Sequence, residues 1–193
     1  FPDLLLIIRG YLLHGGDVRF YFLYAEPLVY NGAPDSKTRH EFRLSDSYAS
    51  DQHPIPGFID LQANPNIVGV VTVFVGFEGA RLRNLIADSE PEISKRFNIV
   101  FGIPPFKTEW ETHSLMENAS FLMDPQIEEV LYAGASNPYS CYEVLSMLYK
   151  LRNKGAPFEV APLGTKPAAI ASALFAAEHR GVSVRYDYPR RSK

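Results

Sequence analysis

Cysteine is nearly absent from this chain, since Cys141 is the only one among 193 residues. A single cysteine cannot form an intramolecular disulfide, and it argues against a zinc site built from thiolates. The five histidines contain no pair with the H-x-x-x-H spacing of a helical metal site, and the H-E-x-x-H motif is missing. We therefore expect no metal site, and a cysteine-poor chain of this kind indicates a reducing, cytoplasmic location.

Long apolar runs and an excess of positive charge are missing too. No run reaches the roughly 18 residues that cross a bilayer, and the opening FPDLLLIIRGYLLHGG lacks the basic start of a signal peptide. The net charge of −3 does not indicate a general nucleic-acid partner. We expect no membrane partner, and because the chain begins at Phe1, we expect a further region upstream.

From residue 67 onward, strand-like and helix-like segments alternate. Apolar, β-branched runs predict strands at 67–75, 97–105, 128–134, 158–164 and 182–188, and helical patterns at 109–123, 140–155, 167–181 and after the GFEG turn predict helices. This alternation predicts an α/β fold: a doubly wound, mostly parallel sheet of five to six strands with helices on both faces, which is Rossmann-like. The whole chain, 1–193, is predicted to form one domain.

The part of the chain before residue 67 is less regular. Helical spacing predicts a helix over 3–14 that ends at the Gly15-Gly16 pair. The aromatic run VRFYFLYAE predicts a buried strand over 18–26. Residues 28–66 carry several prolines and many charges, and we expect an irregular excursion with a short strand near 41–44.

The loops that follow the predicted strands are the candidate binding loops, because ligands of open parallel sheets bind at the carboxyl ends of strands. In GFEGAR, Gly76 and Gly79 allow close approach of the backbone to a ligand. Glu78 could accept hydrogen bonds from a ribose or base, and Arg81 could face a phosphate. The alternative is structural: the glycines only turn the chain, and Glu78 favours the start of the helix.

Two further loops combine a glycine, a helix-capping residue and a proline. In GASNPYS, Ser136 and Asn137 are candidates for anion binding, although capping of the next helix is sufficient to explain them and is favoured. In PLGTKP, Gly164 ends the strand and Thr165 is the predicted N-cap. Lys166 opposes the helix dipole at this place, so it is the strongest single candidate for a contact with an anionic ligand.

Catalytic patterns are weak. No nucleophile elbow or serine triad order is present, and we identify no catalytic residue and no cofactor. Cys141, near a helix start, is either a thiol of lowered pKa or a buried structural residue, and the second is favoured. Trp110 is either a base-stacking residue or part of the core, and the core is favoured.

The two glycine loops together resemble those of a known family. An apolar strand ends in Gly76-Phe77-Glu78-Gly79, and a late strand ends in Gly164-Thr165-Lys166 with a helix and a last strand behind it. Over 67–188 this order resembles the CARF-like Rossmann domains of prokaryotic antiviral defence and CRISPR-associated proteins. Those domains sense nucleotide second messengers and carry paired glycines before Thr-Lys, where this chain has Leu163 as the first. The resemblance implies a dimer with a ligand across its two-fold axis and an effector region elsewhere.

Three hypotheses follow. The first is a non-enzymatic regulatory module that binds a nucleotide-like anion through Lys166, Thr165 and the GFEG turn. The second is a nucleotide- or phosphosugar-processing enzyme with Glu78 or Glu109 as acid or base and 28–66 as a lid. The third is an assembly subunit of a larger complex that uses this fold as a scaffold.

Overall fold

The computed structural model describes residues 2–15, 17, 19–27, 54–59, 64, 66–87 and 95–187. The helices are α1 (Pro2–His14), α2 (Gly79–Ala87), α3 (Trp110–Asn118), α4 (Pro138–Leu151) and α5 (Lys166–Glu178), and a short 3-10 helix at Ala119–Phe121 follows α3. The strands are β1 (Gly69–Phe74), β2 (Lys95–Gly102), β3 (Ile127–Ala133), β4 (Phe158–Pro162) and β5 (Val182–Val184). None of the helices in these described ranges is long and apolar enough to cross a membrane.

The five strands form one sheet in the order β3-β2-β1-β4-β5, and every neighbouring pair is parallel. This confirms the predicted α/β, Rossmann-like fold. The predicted strands after residue 67 are all present, with ends that shift by a few residues. For example, β2 ends at Gly102 rather than 105, because Pro104 and Pro105 have no N–H to donate to a neighbouring strand.

Alternate strand residues pack into two separate cores, one on each face of the sheet. On one face, Phe74, Phe158 and Val160 pack with residues of α1, α4 and α5, among them Leu5, Leu145 and Phe175. On the other face, Val73, Ile99 and Phe101 pack with Leu82 and Leu85 of α2 and with Leu115 of α3. The near-continuous apolar strands of the sequence are therefore explained by burial on both faces.

The predicted buried strand over 18–26 is wrong. The helix before it is confirmed, but residues 19–27 form no strand, Tyr21 is 86% exposed and Leu23 is fully exposed. The aromatic side chains make ring contacts instead. The ring centres of Phe20 and Tyr11 lie 5.6 Å apart, and those of Tyr24 and Phe106 lie 6.0 Å apart. Strand propensity reports how well a side chain fits a half-buried sheet surface, and it does not supply a neighbouring strand.

The described part of the excursion packs along the edge strand β5. Ile55 and Phe58 are buried, the Ile55 N–H donates to the Val184 carbonyl at 2.7 Å, and the Val184 N–H donates to the Phe58 carbonyl at 3.1 Å. These contacts cover the open edge of β5 at Val184 and satisfy the N–H and carbonyl of that residue. The short strand expected near 41–44 lies outside the described residues.

Candidate functional site

A cavity of about 450 Å³ lies at the carboxyl edge of the sheet, between the loops that follow β1 and β4. These two strands pair with each other at the centre of the sheet. The helix after β1 packs on one face and the helix after β4 packs on the other, so the two loops diverge and leave a crevice. This is the topological switch point, where open parallel sheets bind their ligands.

Most of the predicted candidate residues line this cavity. The lining includes Gly76, Glu78, Arg81, Gly164, Thr165 and Lys166. The sheet order therefore brings the GFEG and PLGTKP loops together, although about 80 residues of sequence separate them. The other three candidates, Gly79, Ser136 and Asn137, are not part of the lining.

The carbonyl of Gly76, in the turn after β1, is held by two side chains of α3. The Ser114 hydroxyl donates to it at 3.0 Å and the Asn118 amide donates to it at 2.9 Å. Both donors are buried, and Ser114 also lines the cavity. Since two hydrogen bonds converge on one carbonyl, α3 fixes the position of the GFEG turn at the wall of the cavity.

The glycine at 79 has a packing role. A Cβ added to Gly79 would lie 2.1 Å from the backbone oxygen of Glu117, at the end of α3. The first turn of α2 therefore approaches α3 so closely that only glycine fits. This contact, rather than a ligand, explains the second glycine of the G-x-x-G pattern.

Gly164 brings the two loops of the switch point into backbone contact. A Cβ added there would lie 2.6 Å from the carbonyl oxygen of Val75, at the end of β1. Gly76 faces the same contact from the other side, since its added Cβ would lie 3.2 Å from the Cα of Gly164. The absence of side chains at both positions sets the width of the crevice at its base.

Arg81 is part of a buried ion pair, and this differs from the role that the sequence suggests. Its Nε and Nη2 donate to the two carboxylate oxygens of Asp187 at 2.5 and 2.6 Å, and its Nη1 donates to the Leu163 carbonyl. Burial by itself lowers the pKa of the Arg81 guanidinium, but the hydrogen bond to Asp187 and the charges of Asp187 and Glu78 outweigh it, so the pKa is raised. The structure therefore gives Arg81 a carboxylate partner that lies 106 residues away in sequence, and its phosphate contact stays a prediction.

The PLGTKP loop forms the start of α5 as predicted. The Thr165 hydroxyl accepts a hydrogen bond from the Ala168 N–H at 3.4 Å, which confirms Thr165 as the N-cap, and Pro167 follows in the first turn. Lys166 is the first helical residue, is exposed and lines the cavity. The positive end of the α5 dipole and the Lys166 ammonium therefore lie at the same wall of the cavity.

The GASNPYS loop has the alternative, structural role. Asn137 caps α4, since its side-chain oxygen accepts hydrogen bonds from the Tyr139 and Ser140 N–H groups at 3.0 and 3.3 Å. Both Ser136 and Asn137 are exposed. Of residues 134–140, all of which the structure describes, Ala135 is the one that lines the cavity. The reason is that β3 is an edge strand, two positions from the switch point.

Aromatic side chains form a large part of the cavity wall, and the sequence analysis did not group them. They are Tyr24, Phe77, Phe106, Trp110 and Tyr186. Phe77 and Trp110 pack edge to face with ring centres 5.5 Å apart. Trp110, for which core and stacking alternatives were open, is partly buried and belongs to the wall. The positions of Phe77 and Phe106 in strand-end loops could have indicated them, whereas Tyr24 and Tyr186 carry no such signal.

Cys141 is a buried structural residue. Its side chain packs in the core on the α4 and α5 face, and burial raises the pKa of the thiol to about 11. A thiol with this pKa is protonated at neutral pH and is not an activated nucleophile. Glu109, the other candidate acid or base, is exposed before α3 and does not line the cavity.

Comparison with models of protein families found none that matches this chain, and comparison with curated protein sequences found no match either. The functional argument therefore depends on the geometry of the cavity.

Proposed function

We propose that this protein is a regulatory or sensing domain that binds a nucleotide-like anion in the cavity between β1 and β4. The observation that carries the proposal is the position of this cavity at the topological switch point. Aromatic side chains and the backbone of the two glycine loops line the same cavity. Fold by itself does not assign function, so the support comes from the chemistry of the lining.

The wall near α5 suits an anionic group. The first backbone N–H groups of a helix have no partner within the helix, and together with the helix dipole they favour a phosphate. Lys166 adds a positive charge at this end of α5. The missing side chains of Gly76 and Gly164 allow a ligand to approach the backbone of both loops.

The aromatic wall suits a nucleobase. Stacking of a base on an aromatic side chain contributes about 1–3 kcal/mol in proteins that bind single-stranded nucleic acids. Phe106 and Trp110 follow β2, and Tyr24 belongs to the segment after α1, so this wall is built from separate parts of the chain. A ligand with a flat ring and an anionic group matches both walls at once.

The resemblance to CARF-like domains extends the proposal to antiviral defence. In this extended form, the domain binds its ligand as a homodimer or as a subunit of a larger complex, and it passes the signal to a separate effector. Light scattering with and without ligand tests the oligomer.

Calorimetry with a panel of mono-, di- and cyclic oligonucleotides tests the binding proposal. We expect at least one member to bind, and we expect Lys166→Ala to weaken its binding about ten-fold or more, since hydrogen bonds to charged groups contribute about 1.5–3 kcal/mol. The matched control is Lys150→Ala, an exposed lysine of α4 outside the cavity lining. If no nucleotide binds, or if both variants bind as the native protein does, the proposal is wrong.

The location of Glu78 favours an enzyme as the second candidate function. Glu78 is only 8% exposed and lines the cavity beside the proposed ligand, as an acid or base must. Product formation from the same nucleotide panel, abolished in Glu78→Gln, would favour a nucleotide-processing enzyme over a sensor. Binding without turnover favours the sensor.

A further inference from the structure

We propose that a second copy of this chain docks on the exposed apolar side of α1, and that the two copies of α1 pack antiparallel across Gly10. Three features of the helix support this pairing: its exposed apolar side chains, a glycine that packing within the chain does not explain, and the charges at its two ends. The pairing does not depend on the nucleotide site, because no described residue of α1 lines the cavity.

The exposed apolar side chains of the described residues are concentrated before residue 25. Nine of the 17 large hydrophobic residues that are exposed lie there: Leu6, Ile7, Tyr11, Leu12, Leu13, Tyr21, Phe22, Leu23 and Tyr24. The ring contact between Tyr11 and Phe20 joins the helix to the segment that follows it. Contiguous apolar surfaces of this kind mark sites of interaction with another molecule.

α1 is apolar on two opposite sides. Leu5 and Ile8 are fully buried in the core that α1 shares with α5. Leu6, Ile7 and Leu13 are between 48% and 59% exposed, and helical spacing places them on the other side of the helix. A helix that is apolar all round is typical of a buried element, so the outer side of α1, formed by Leu6, Ile7, Gly10 and Leu13, matches the surface of an interface.

Gly10 lies at the centre of this outer side. Glycine in the interior of a helix is less stable than alanine, because it loses more backbone freedom on folding. A Cβ added to Gly10 would meet no atom of the described residues within 4 Å beyond its own helix, so packing within this part of the chain does not require glycine. The missing side chain leaves a hollow between Leu6 and Ile7 that accepts a side chain of another helix.

The outer side of α1 carries both this hollow and the side chains that fill it, as a two-fold interface between identical copies requires. Antiparallel packing about a point between Ile7 and Gly10 places Ile7 of each copy over Gly10 of the other. It also places Asp3, in the first turn of each helix, beside His14, in the last turn of the other. The two helix dipoles then oppose each other, whereas a parallel pair would bring like ends together.

The charges of α1 do not suit a membrane as the occupant. Helices that lie on membranes carry several lysines or arginines on their polar side. α1 has no lysine and one arginine, Arg9, whose guanidinium carbon lies 4.8 Å from the centre of the Phe58 ring. The residues that follow the helix include Asp17 and Arg19, which have opposite charges. An uncharged, self-complementary protein surface fits this balance better than an anionic lipid surface.

Sedimentation velocity of the full chain without nucleotide, over about a hundred-fold range of protein concentration, tests the pairing. We expect an equilibrium between monomer and dimer. Ile7→Asp should weaken dimerisation at least about ten-fold, because it places a carboxylate of each copy in an apolar interface. The matched control is Leu151→Asp, since Leu151 is an exposed aliphatic residue at the end of α4 and should leave the equilibrium unchanged.

Gly10→Ala gives a second reading in which the two effects have opposite signs. Alanine favours the helix, so the urea midpoint of the dilute monomer should rise, whereas a methyl group in the hollow should weaken dimerisation several-fold. If Ile7→Asp alone weakens the dimer, the packing across Gly10 is wrong.

A protein that stays monomeric at all concentrations overturns the pairing, and so does a dimer that neither variant weakens. Sedimentation of the monomer with vesicles of phosphatidylcholine and phosphatidylserine would assign the surface to a membrane and would overturn the pairing as well. All these outcomes leave the nucleotide site to its own test.

Discussion

The loops that lead into α4 and α5 share a local construction but occupy different places in the sheet. Each follows a strand, supplies an N-cap residue and places a proline in the first turn of its helix: Asn137 with Pro138, and Thr165 with Pro167. The α5 loop lines the cavity with four consecutive residues, Leu163 to Lys166, whereas the α4 loop contributes Ala135.

The difference shows that helix capping and ligand binding are separate properties of such a loop. Capping depends on a few neighbouring residues, because a side-chain oxygen needs only the next N–H groups. Access to a ligand depends on which strand the loop follows. β4 pairs with β1 at the switch point, whereas β3 lies at the outer edge of the sheet.

The largest expected effect concerns the Arg81–Asp187 ion pair, which supports the α5 loop through the Leu163 carbonyl. Arg81→Ala leaves Asp187 buried without its partner and removes the donor to the Leu163 carbonyl. Breaking a buried pair in this way costs about 3–5 kcal/mol. Urea denaturation should therefore show a large loss of unfolding free energy.

The matched control is Arg83→Ala on the same helix. Arg83 is exposed and lies 5.6 Å from the ring centre of Phe121, a contact that contributes about 0.5–1 kcal/mol. Similar losses of unfolding free energy in the two variants would mean that Arg81 stabilises the protein no more than an exposed arginine does. The α5 loop would then not depend on the Arg81–Asp187 pair.

The glycines that end β3 and β4 give the next comparison. Gly164→Ala would place a Cβ 2.6 Å from a backbone oxygen, whereas Gly134→Ala would place it 3.3 Å from the Asn137 Cβ, its nearest contact. We expect Gly164→Ala to destabilise the protein by about 1–3 kcal/mol, as overpacking does, and Gly134→Ala by less. Thermal and urea denaturation of the pair measure this, and a larger loss at Gly134 would contradict the close approach of β1 and β4.

The thiol of Cys141 makes the α4 side sensitive to alkaline pH. Burial raises the pKa of the thiol from 9.0 to about 11, so the unfolded chain loses its proton at lower pH than the folded protein does. This contribution to stability is complete below pH 9 and is lost as the pH rises to about 11, at about 1.4 kcal/mol per pH unit between these values.

Urea denaturation between pH 8 and pH 11 should therefore show a steeper fall for the native protein than for Cys141→Ser, which does not titrate in this range. If the unfolding free energies of the two proteins fall in parallel with pH, the thiol is not shielded from water in the core. Slow alkylation of the native protein at neutral pH is the expected companion result.

The smallest effect separates the two properties of the loops directly. Asn137→Ala and Thr165→Ala should each destabilise the protein by about 0.5–2 kcal/mol through the lost cap. The Asn137 side chain accepts hydrogen bonds from two N–H groups, whereas Thr165 accepts one at a longer distance. We therefore expect the larger loss of unfolding free energy for Asn137→Ala. Nucleotide binding should weaken only in Thr165→Ala. An equal change of binding affinity in both variants would contradict the assignment of the site to the α5 loop.

Local features of this chain could be predicted from sequence because their causes are local. The central strands β1 and β4 are apolar runs, which burial on both faces requires, and α4 and α5 begin at recognisable caps. The strand expected over 18–26 failed because aromatic residues favour a sheet surface but cannot create a neighbouring strand. Its side chains contact the rings of Tyr11 and Phe106 instead.

The candidate site was only partly predictable for the same reason. Every strand-end loop with glycine and a cap has the same appearance in sequence, so Ser136 and Asn137 were as plausible as Thr165. Asp187 could not be identified as the partner of Arg81, because nothing near Arg81 in the sequence indicates a contact 106 residues away.

The amino-acid sequence by itself thus determined the parallel α/β class, the order of the elements and the helix caps, all of which depend on patterns within a short stretch of chain. The tertiary structure decided which loops meet. The order of the strands across the sheet places β1 beside β4, and this lateral order depends on contacts between residues that are far apart in the sequence.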